Sequence, residues 1–420
     1  MQTENGTNVQ KKRETLPKIF YIYYFAVFMG LAIFNSFFST FFANNGMSSG
    51  QIGLLFGLAP LAGLVAQPVW GALTDRARTK NTVLCAAIVG VMASIVLFYV
   101  ISRFFSGAQA TKLLLLSGAM IIFSLFNNAL IPLQDTITLD YIVRHGGRYG
   151  AARMGGTIGY AITALCVGML LSAFPDSVFT IYFFVLCFIL LCALRLPKAH
   201  GYRKKGEKGS ILEVLRDKEI LLVLLLCLVQ YIALSFGHTF CGPYMLSLGG
   251  NSTWIGAANM VQAVGEIPFH LKWGRRLIDR IGIHRILIAA TVFGALRWAI
   301  TAVCKSPLLF AIVTGMEGFM LVPMIVGVVE FVNGRVPHRL KATAQTAITL
   351  SSSVLSRTIG NIGGGALVDL FNSMGYNGMS LTYGLLVPLS LIAAAAIGIP
   401  LLRCAKKSAA NSQTTCKGES

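Results

Sequence analysis

The feature that most constrains this sequence is the recurrence of apolar stretches long enough to cross a lipid bilayer. A membrane-spanning helix needs about 20 mostly apolar residues. Runs of that kind, separated by Gly, Asn, Pro or charge clusters, occupy 19–43, 51–74, 81–102, 112–141, 150–174, 178–196, 218–247, 252–274, 283–304, 307–334, 340–371 and 378–402. Of the 420 residues, 55% are hydrophobic and only 12% charged, about half the charge that coats an average soluble domain. The sequence therefore predicts an all-α integral membrane protein of twelve transmembrane helices. It excludes a soluble enzyme, a disordered tail and a secreted disulfide scaffold.

The charge balance, 35 Lys and Arg against 16 Asp and Glu for a net +19, would by itself suggest a nucleic-acid partner. The positions say otherwise. With the N-terminus taken as cytoplasmic, 29 of the 35 basic residues fall in cytoplasmic loops and tails, and only Arg103, Lys112 and Lys305 fall outside. That is the bias that orients membrane proteins. The expectation is a multi-pass protein of the cell membrane, plasma or inner, with both termini cytoplasmic. Its partners are the bilayer and a small-molecule substrate, with no nucleic acid, and the chain is expected to be a monomer. The first apolar run is too long and aromatic for a cleavable signal peptide. Seven of the nine cysteines sit in apolar runs without metal-ligand spacing, so neither disulfides nor a metal site is expected.

The longest polar stretch, Pro197 to Lys218, divides the spans six and six. This predicts an N-terminal six-helix bundle with its tail over 1–196, a cytoplasmic central loop over 197–217, and a C-terminal bundle with its tail over 218–420. The halves partly repeat. Ile52-Gly53, Pro68 and "WGALTDR" at Trp70–Arg76 are echoed by Ile255-Gly256, Pro268 and "WGRRLIDR" at Trp273–Arg280. Six-span repeats related by an axis along the membrane normal are a transporter architecture, with the substrate site near mid-membrane between them. The stretch "GALTDRARTK", Gly71 to Lys80, resembles the signature loop of the major facilitator superfamily. The resemblance implies that fold and a gating latch formed by Gly71, Asp75 and Arg76, with Asp279 and Arg280 as its degenerate counterpart. A solvated basic turn is the plainer alternative.

An ionisable group inside a bilayer costs several kcal/mol and by default marks a functional site. Residues equidistant from a connecting turn lie at similar depth. Asp135 and Arg153 are symmetric about residue 144, each roughly 13 Å deep at 1.5 Å per residue. Counting in the same way sets Arg297 level with Glu317 about Pro307, Glu317 with Arg357 about Pro337, and His238 with Glu266 about Ser252. The bland alternatives are a static ion pair for Asp135 and Arg153, structural arginines at 297 and 357, and a packing histidine at 238. Asp140, Glu330 and Asp369, near helix ends, are expected to be solvated or capping.

"NNALIPLQD" and "ARMGGTIGY" look like the sugar-binding stretch of the oligosaccharide:proton symporters, the lactose permease family. The match covers Asn128, Pro132, Asp135, Arg153-Met154, Gly156, Gly159 and Tyr160. The resemblance implies that Asn128, Asp135, Arg153, Tyr160 and Glu266 contact substrate, and His238, level with Glu266 by the count, is a further candidate contact. The acid and arginine would bind sugar hydroxyls, and the aromatic would stack on the ring. It also implies that Glu266 and Arg297 take part in coupling. In the tenth span the pattern departs: the family's Lys, His and Glu positions are Gly315, Gly318 and Leu321, which leaves Glu317 as that span's acid. A proton carrier needs an acid that burial keeps neutral in one conformation and that a cation or water ionises in the other. Glu317, switched by Arg297 or Arg357 and coupled to substrate by Glu266, is the expected carrier, with the proton as coupling ion and no other cofactor.

The resulting expectation is a secondary transporter, a proton-coupled importer of a sugar or similar hydroxylated small molecule working by alternating access. A carrier for aromatic or other organic acids, with Arg153 receiving the carboxylate, is the second reading. A membrane receptor or scaffold is the third, from a different class. No His-Glu-x-x-His or Gly-Lys-Ser/Thr motif occurs, so no enzyme is expected.

Overall fold

A computed structural model describes residues 16–199 and 210–406. The tails 1–15 and 407–420, and positions 200–209 of the expected central loop, lie outside the described residues. All regular structure among the described residues is helical. The first half contains α1 (Lys18–Asn44), α2 (Ser49–Arg76), α3 (Lys80–Phe104), α4 (Gln109–His145), α5 (Tyr149–Ala173) and α6 (Val178–Leu194). A short helix, α7 (Ile211–Leu215), lies within the stretch expected to be a plain loop.

The second half is more broken. It comprises α8 (Lys218–Ser247), α9 (Ser252–Pro268), α10 (Gly274–Ile281), α11 (Ile283–Ala302), α12 (Pro307–Thr314), α13 (Glu317–Val322), α14 (Val328–Arg335), α15 (Lys341–Thr349), α16 (Ser356–Ser373) and α17 (Gly378–Ala393). Three π-helical turns, Phe269–Trp273, Pro323–Gly327 and Leu350–Leu355, join α9 to α10, α13 to α14 and α15 to α16. A fourth, Ala394–Gly398, follows α17. Ten helical stretches among the described residues are long and apolar enough to cross a membrane. The expected spans 252–274 and 340–371 are the two beyond these. Both are interrupted by π turns, and Gly, Ser, Thr and Asn dilute their apolar content.

We call the membrane side on which α1 begins the near side and the opposite one the far side. On the far side one short motif recurs. Gly46, Gly249 and Gly375 adopt positive φ (79°, 81° and 82°), the left-handed conformation that closes a helix end and costs glycine least. Two residues on, Ser48, Asn251 and Asn377 accept a backbone N–H of the next helix as N-caps. The first two copies extend the sequence repeat, since Ile52-Gly53 and Ile255-Gly256 follow their turns at the same distance.

Those repeated glycines face the opposite half. A Cβ on Gly53 of α2 would sit 2.2 Å from the Asn361 carbonyl oxygen of α16, and one on Gly256 of α9 would sit 2.2 Å from that of Ala164 in α5. Lipid offers no hydrophobic drive for helix association, so close approach through small residues supplies packing energy instead. Side-chain bonds tie both seams. Asp369 of α16 accepts from the backbone N–H groups of Ser49 and Gly50 at 3.0 and 2.8 Å, and the Thr253 backbone N–H donates to the Ser172 hydroxyl at 3.0 Å. Asp369 is thus a cap, as its helix-end position suggested, but for α2 rather than its own helix. On the near side the ion pairs of Lys80 with Asp140, Arg275 with Glu330, and Arg339 with Glu213 each stay within one half. The bundle is therefore fastened across its middle and far side.

Candidate functional site

A cavity of about 310 Å³ lies between the two halves, at the lower end of the roughly 300–1,000 Å³ of small-molecule sites. Five carboxamides enter its wall: Asn35 of α1, Gln67 of α2, Asn127 and Asn128 of α4, and Asn361 of α16. Hydroxyls of Ser124, Thr239 and Ser353 and the rings of Phe34, Phe56 and Phe123 complete its character. Carboxamides both donate and accept, so such a wall can match a ligand that also does both. His238 and Arg357 are the titratable side chains in the lining, and among the described residues no Asp or Glu lines it.

His238 continues into a second, more buried layer. Its Nε2 lies 2.5 Å from a carboxylate oxygen of Glu317, to which the Gln262 amide donates at 3.0 Å. Arg297 pairs with the other carboxylate oxygen at 2.9 Å. Glu317 is fully buried and Arg297 is 5% exposed, whereas the His238 side chain keeps 35% of its surface. The Arg297 guanidinium also lies over the Trp298 ring, 4.5 Å from its centroid, a favourable cation–π placement.

The local chain explains how these groups meet. The span carrying Glu317 breaks at Gly315-Met316, so Glu317 opens α13. A Cβ on Gly265 of α9 would lie 2.4 Å from the Gly315 carbonyl oxygen, and one on Gly318 would lie 2.4 Å from that of Gly265. The two glycines that replace the family's polar positions thus let α9 lie directly on this span. That contact delivers Gln262 to Glu317.

Counting by depth identified the Arg297–Glu317 pair correctly and misassigned His238. The turn between α8 and α9 covers 248–251, so a count centred on Ser252 overshoots by about one helical turn. His238 therefore meets Gln262 and Glu317 rather than Glu266. Glu266 neither lines the cavity nor joins the cluster; its ion partner is His270, at 3.8 Å. Arg357 does not reach Glu317 and stands in the cavity wall. Gln262 escaped the sequence reading because a neutral amide carries no intramembrane charge signal, although it precedes Glu266 by one turn on the same helix face.

The N-terminal pair also forms, but loosely. Arg153 is 3.8 Å from Asp135, with side chains 42% and 25% exposed. Asp135 accepts from the Tyr24 hydroxyl at 2.6 Å, and the Arg153 guanidinium lies 5.2 Å from the Phe28 ring centroid. Neither residue lines the central cavity. Tyr160 is at the seam, where its hydroxyl donates to Asn259 across the halves at 3.3 Å. Of the six residues expected to contact substrate, the cavity gathers Asn128 and His238 and leaves out Asp135, Arg153, Tyr160 and Glu266.

The expected latch residues Gly71, Asp75, Arg76, Asp279 and Arg280 are exposed. The nearby ion pair joins Lys80, the last residue of the signature loop, to Asp140 on α4. Asp140, expected to be solvated or capping, is thus the partner of a nearly buried lysine.

Comparison with known proteins agrees with this architecture. The model of the MFS_1 like family matches residues 16–376. The maltose permease of Geobacillus stearothermophilus is 27% identical over 359 residues, covering 84% of this chain and 87% of the permease. The uncharacterized transporter YwbF of Bacillus subtilis is 22% identical, covering 77% and 79%. The solved structure of nucleoside transporter NupG superposes with a TM-score of 0.78 over 92% of this chain and 98% of that one, at 15% identity. At that identity the likeness speaks for the fold alone. The far-side seams, the cavity between repeated halves and the matched family model together establish that the chain is a multi-pass membrane transporter belonging to the MFS_1 like family of the major facilitator superfamily.

Proposed function

We propose that the chain is a proton-coupled importer of a sugar or similar hydroxylated small molecule, which it carries through the central cavity as its two six-helix halves rock. It resides in the cell membrane with both termini cytoplasmic, so the far side faces outward. The carrying observation is that one residue, His238, belongs both to the cavity wall and to the buried Glu317 cluster. A ligand that moves His238 changes the partners of Glu317, and a proton reaching Glu317 has a titratable group on its way. The carboxamide-rich wall suits hydroxyl groups, and the similarity to a maltose permease supports a sugar.

In this reading Glu317 carries the proton, Arg297 stabilises its ionised form, and His238 relays the cavity's state. Substrate-driven proton uptake tests the assignment. Proteoliposomes given maltose, hexoses and nucleosides should alkalinise their medium with at least one of them. Glu317→Gln should abolish that proton flux while leaving substrate exchange across the membrane. Undiminished alkalinisation in Glu317→Gln would exclude Glu317 as the carrier.

A further inference from the structure

An arginine at membrane depth needs a counter-charge, and the partner of such a group is part of its functional reading. Arg297 has one in Glu317 and Arg153 has one in Asp135. Arg357 has none: no carboxylate among the described residues pairs with it, and no Asp or Glu lines the cavity into which it is exposed. The groups that interact with it electrostatically are the phenols of Tyr231 and Tyr160, which are neutral at physiological pH. Glu317 cannot serve, because it is fully buried and held by Arg297, His238 and Gln262. A water-accessible guanidinium in a low-dielectric cavity with no acid in its wall sets a positive potential there. Its planar fork of donors is matched by a carboxylate or phosphate.

The wall around it is polar as well. Arg357 stands two residues past the π turn Leu350–Leu355, an irregularity frequent at functional sites. Ser353 from that turn and Asn361 one helical turn beyond Arg357 share the lining. Across the cavity stand Asn35, Asn127 and Asn128 of the other half. The arrangement offers one oxyanion position at Arg357 and several neutral donor–acceptor positions facing it.

We infer that Arg357 is the anion-receiving subsite of the transport cavity, and that the substrate is a hydroxylated small molecule bearing one acidic group. The inference rests on the hydroxylated-substrate reading above and narrows it. It also moves Arg357 from coupling to recognition. Binding of a carboxylate then neutralises the cavity, so the loaded carrier crosses the membrane field with one less uncompensated charge than the empty one.

The test is uptake by proteoliposomes of three matched probes: glucose, glucuronate and glucose 6-phosphate. Wild-type protein should carry one of the acidic probes in preference to glucose, and which one distinguishes a carboxylate from a phosphate substrate. Arg357→Gln should lower uptake of that probe by about tenfold or more, as expected when a polar site loses a charge-assisted partner, and should lower the ratio of acidic-probe to glucose uptake. Arg357→Lys, which keeps the charge and loses the fork, should fall between and guards against a Gln variant that does not fold. If wild type carries glucose as well as either acid, and neither variant moves the ratio, the subsite is wrong and the sugar reading survives. If none of the three is carried, the hydroxylated-substrate reading fails and takes the subsite with it.

Discussion

Each half of this transporter holds one acid–arginine pair deep in its spans, and the two pairs differ in nearly every physical respect. Asp135 and Arg153 meet at 3.8 Å with much of both side chains exposed. Glu317 and Arg297 meet at 2.9 Å with almost none exposed, and two further polar side chains close around the acid. The first pair competes with water and can exchange partners at little cost. The second has given up its hydration and depends on its neighbours for every compensating contact. Depth within the membrane is similar for the two by sequence, so it is enclosure that separates a tolerant ion pair from a committed one.

That contrast can be broken by measurement. The largest effect should follow from Arg297→Gln, which leaves a buried carboxylate short of its cation and should destabilise the protein by about 3–5 kcal/mol, read as a lowered unfolding temperature in detergent. Adding Glu317→Gln to it should restore part of the loss, because the pair is coupled; strictly additive costs would mean the two side chains do not act together. Gln262→Leu should cost about 1.5–3 kcal/mol, the range for a hydrogen bond to a charged group. A neutral result there would detach α9 from the cluster. The smallest effect is expected from Arg153→Gln, about 0–1 kcal/mol as for accessible ion pairs. If Arg153→Gln proved as damaging as Arg297→Gln, the distinction between the halves would collapse.

Much of the fold was legible in the sequence because membrane proteins advertise it. Apolar length and the placement of Lys and Arg located the spans, and the repeated Ile-Gly, Pro and Trp-Gly pointed to two related halves. Those same Ile-Gly dipeptides turned out to be where the halves touch. The pairing of Arg297 with Glu317 was also readable, since both are charged and equidistant from a turn. What counting could not supply was azimuth. Arg357 faces the cavity instead of Glu317, and Asp135, four residues past the lining Ile131 on the same face of α4, lies one turn nearer the near side than the cavity. Neutral partners such as Gln262 gave no signal, because only charge stands out against an apolar background. The π turns were invisible as well, since an i to i+5 hydrogen bond leaves no mark on apolar periodicity.

The repeat is also imperfect in an instructive place. Trp70 donates its indole N–H to the Leu125 carbonyl at 2.7 Å and so fixes α2 against α4, whereas its counterpart Trp273 is 54% exposed at the end of a π turn. All four π turns among the described residues lie in the second half, on the same side as Glu317 and Arg357.

The turn at Leu350–Leu355 has a mechanical meaning of its own. A π turn holds one residue more than the α turn it replaces, and an α-helix winds by about 100° per residue. Relaxing that turn would swing the helix on one side of it a little over a quarter of a revolution against the other, with Arg357 standing two residues past the pivot. The helix thus stores a fixed increment of rotation beside the one cavity arginine, able to aim its guanidinium inward or withdraw it.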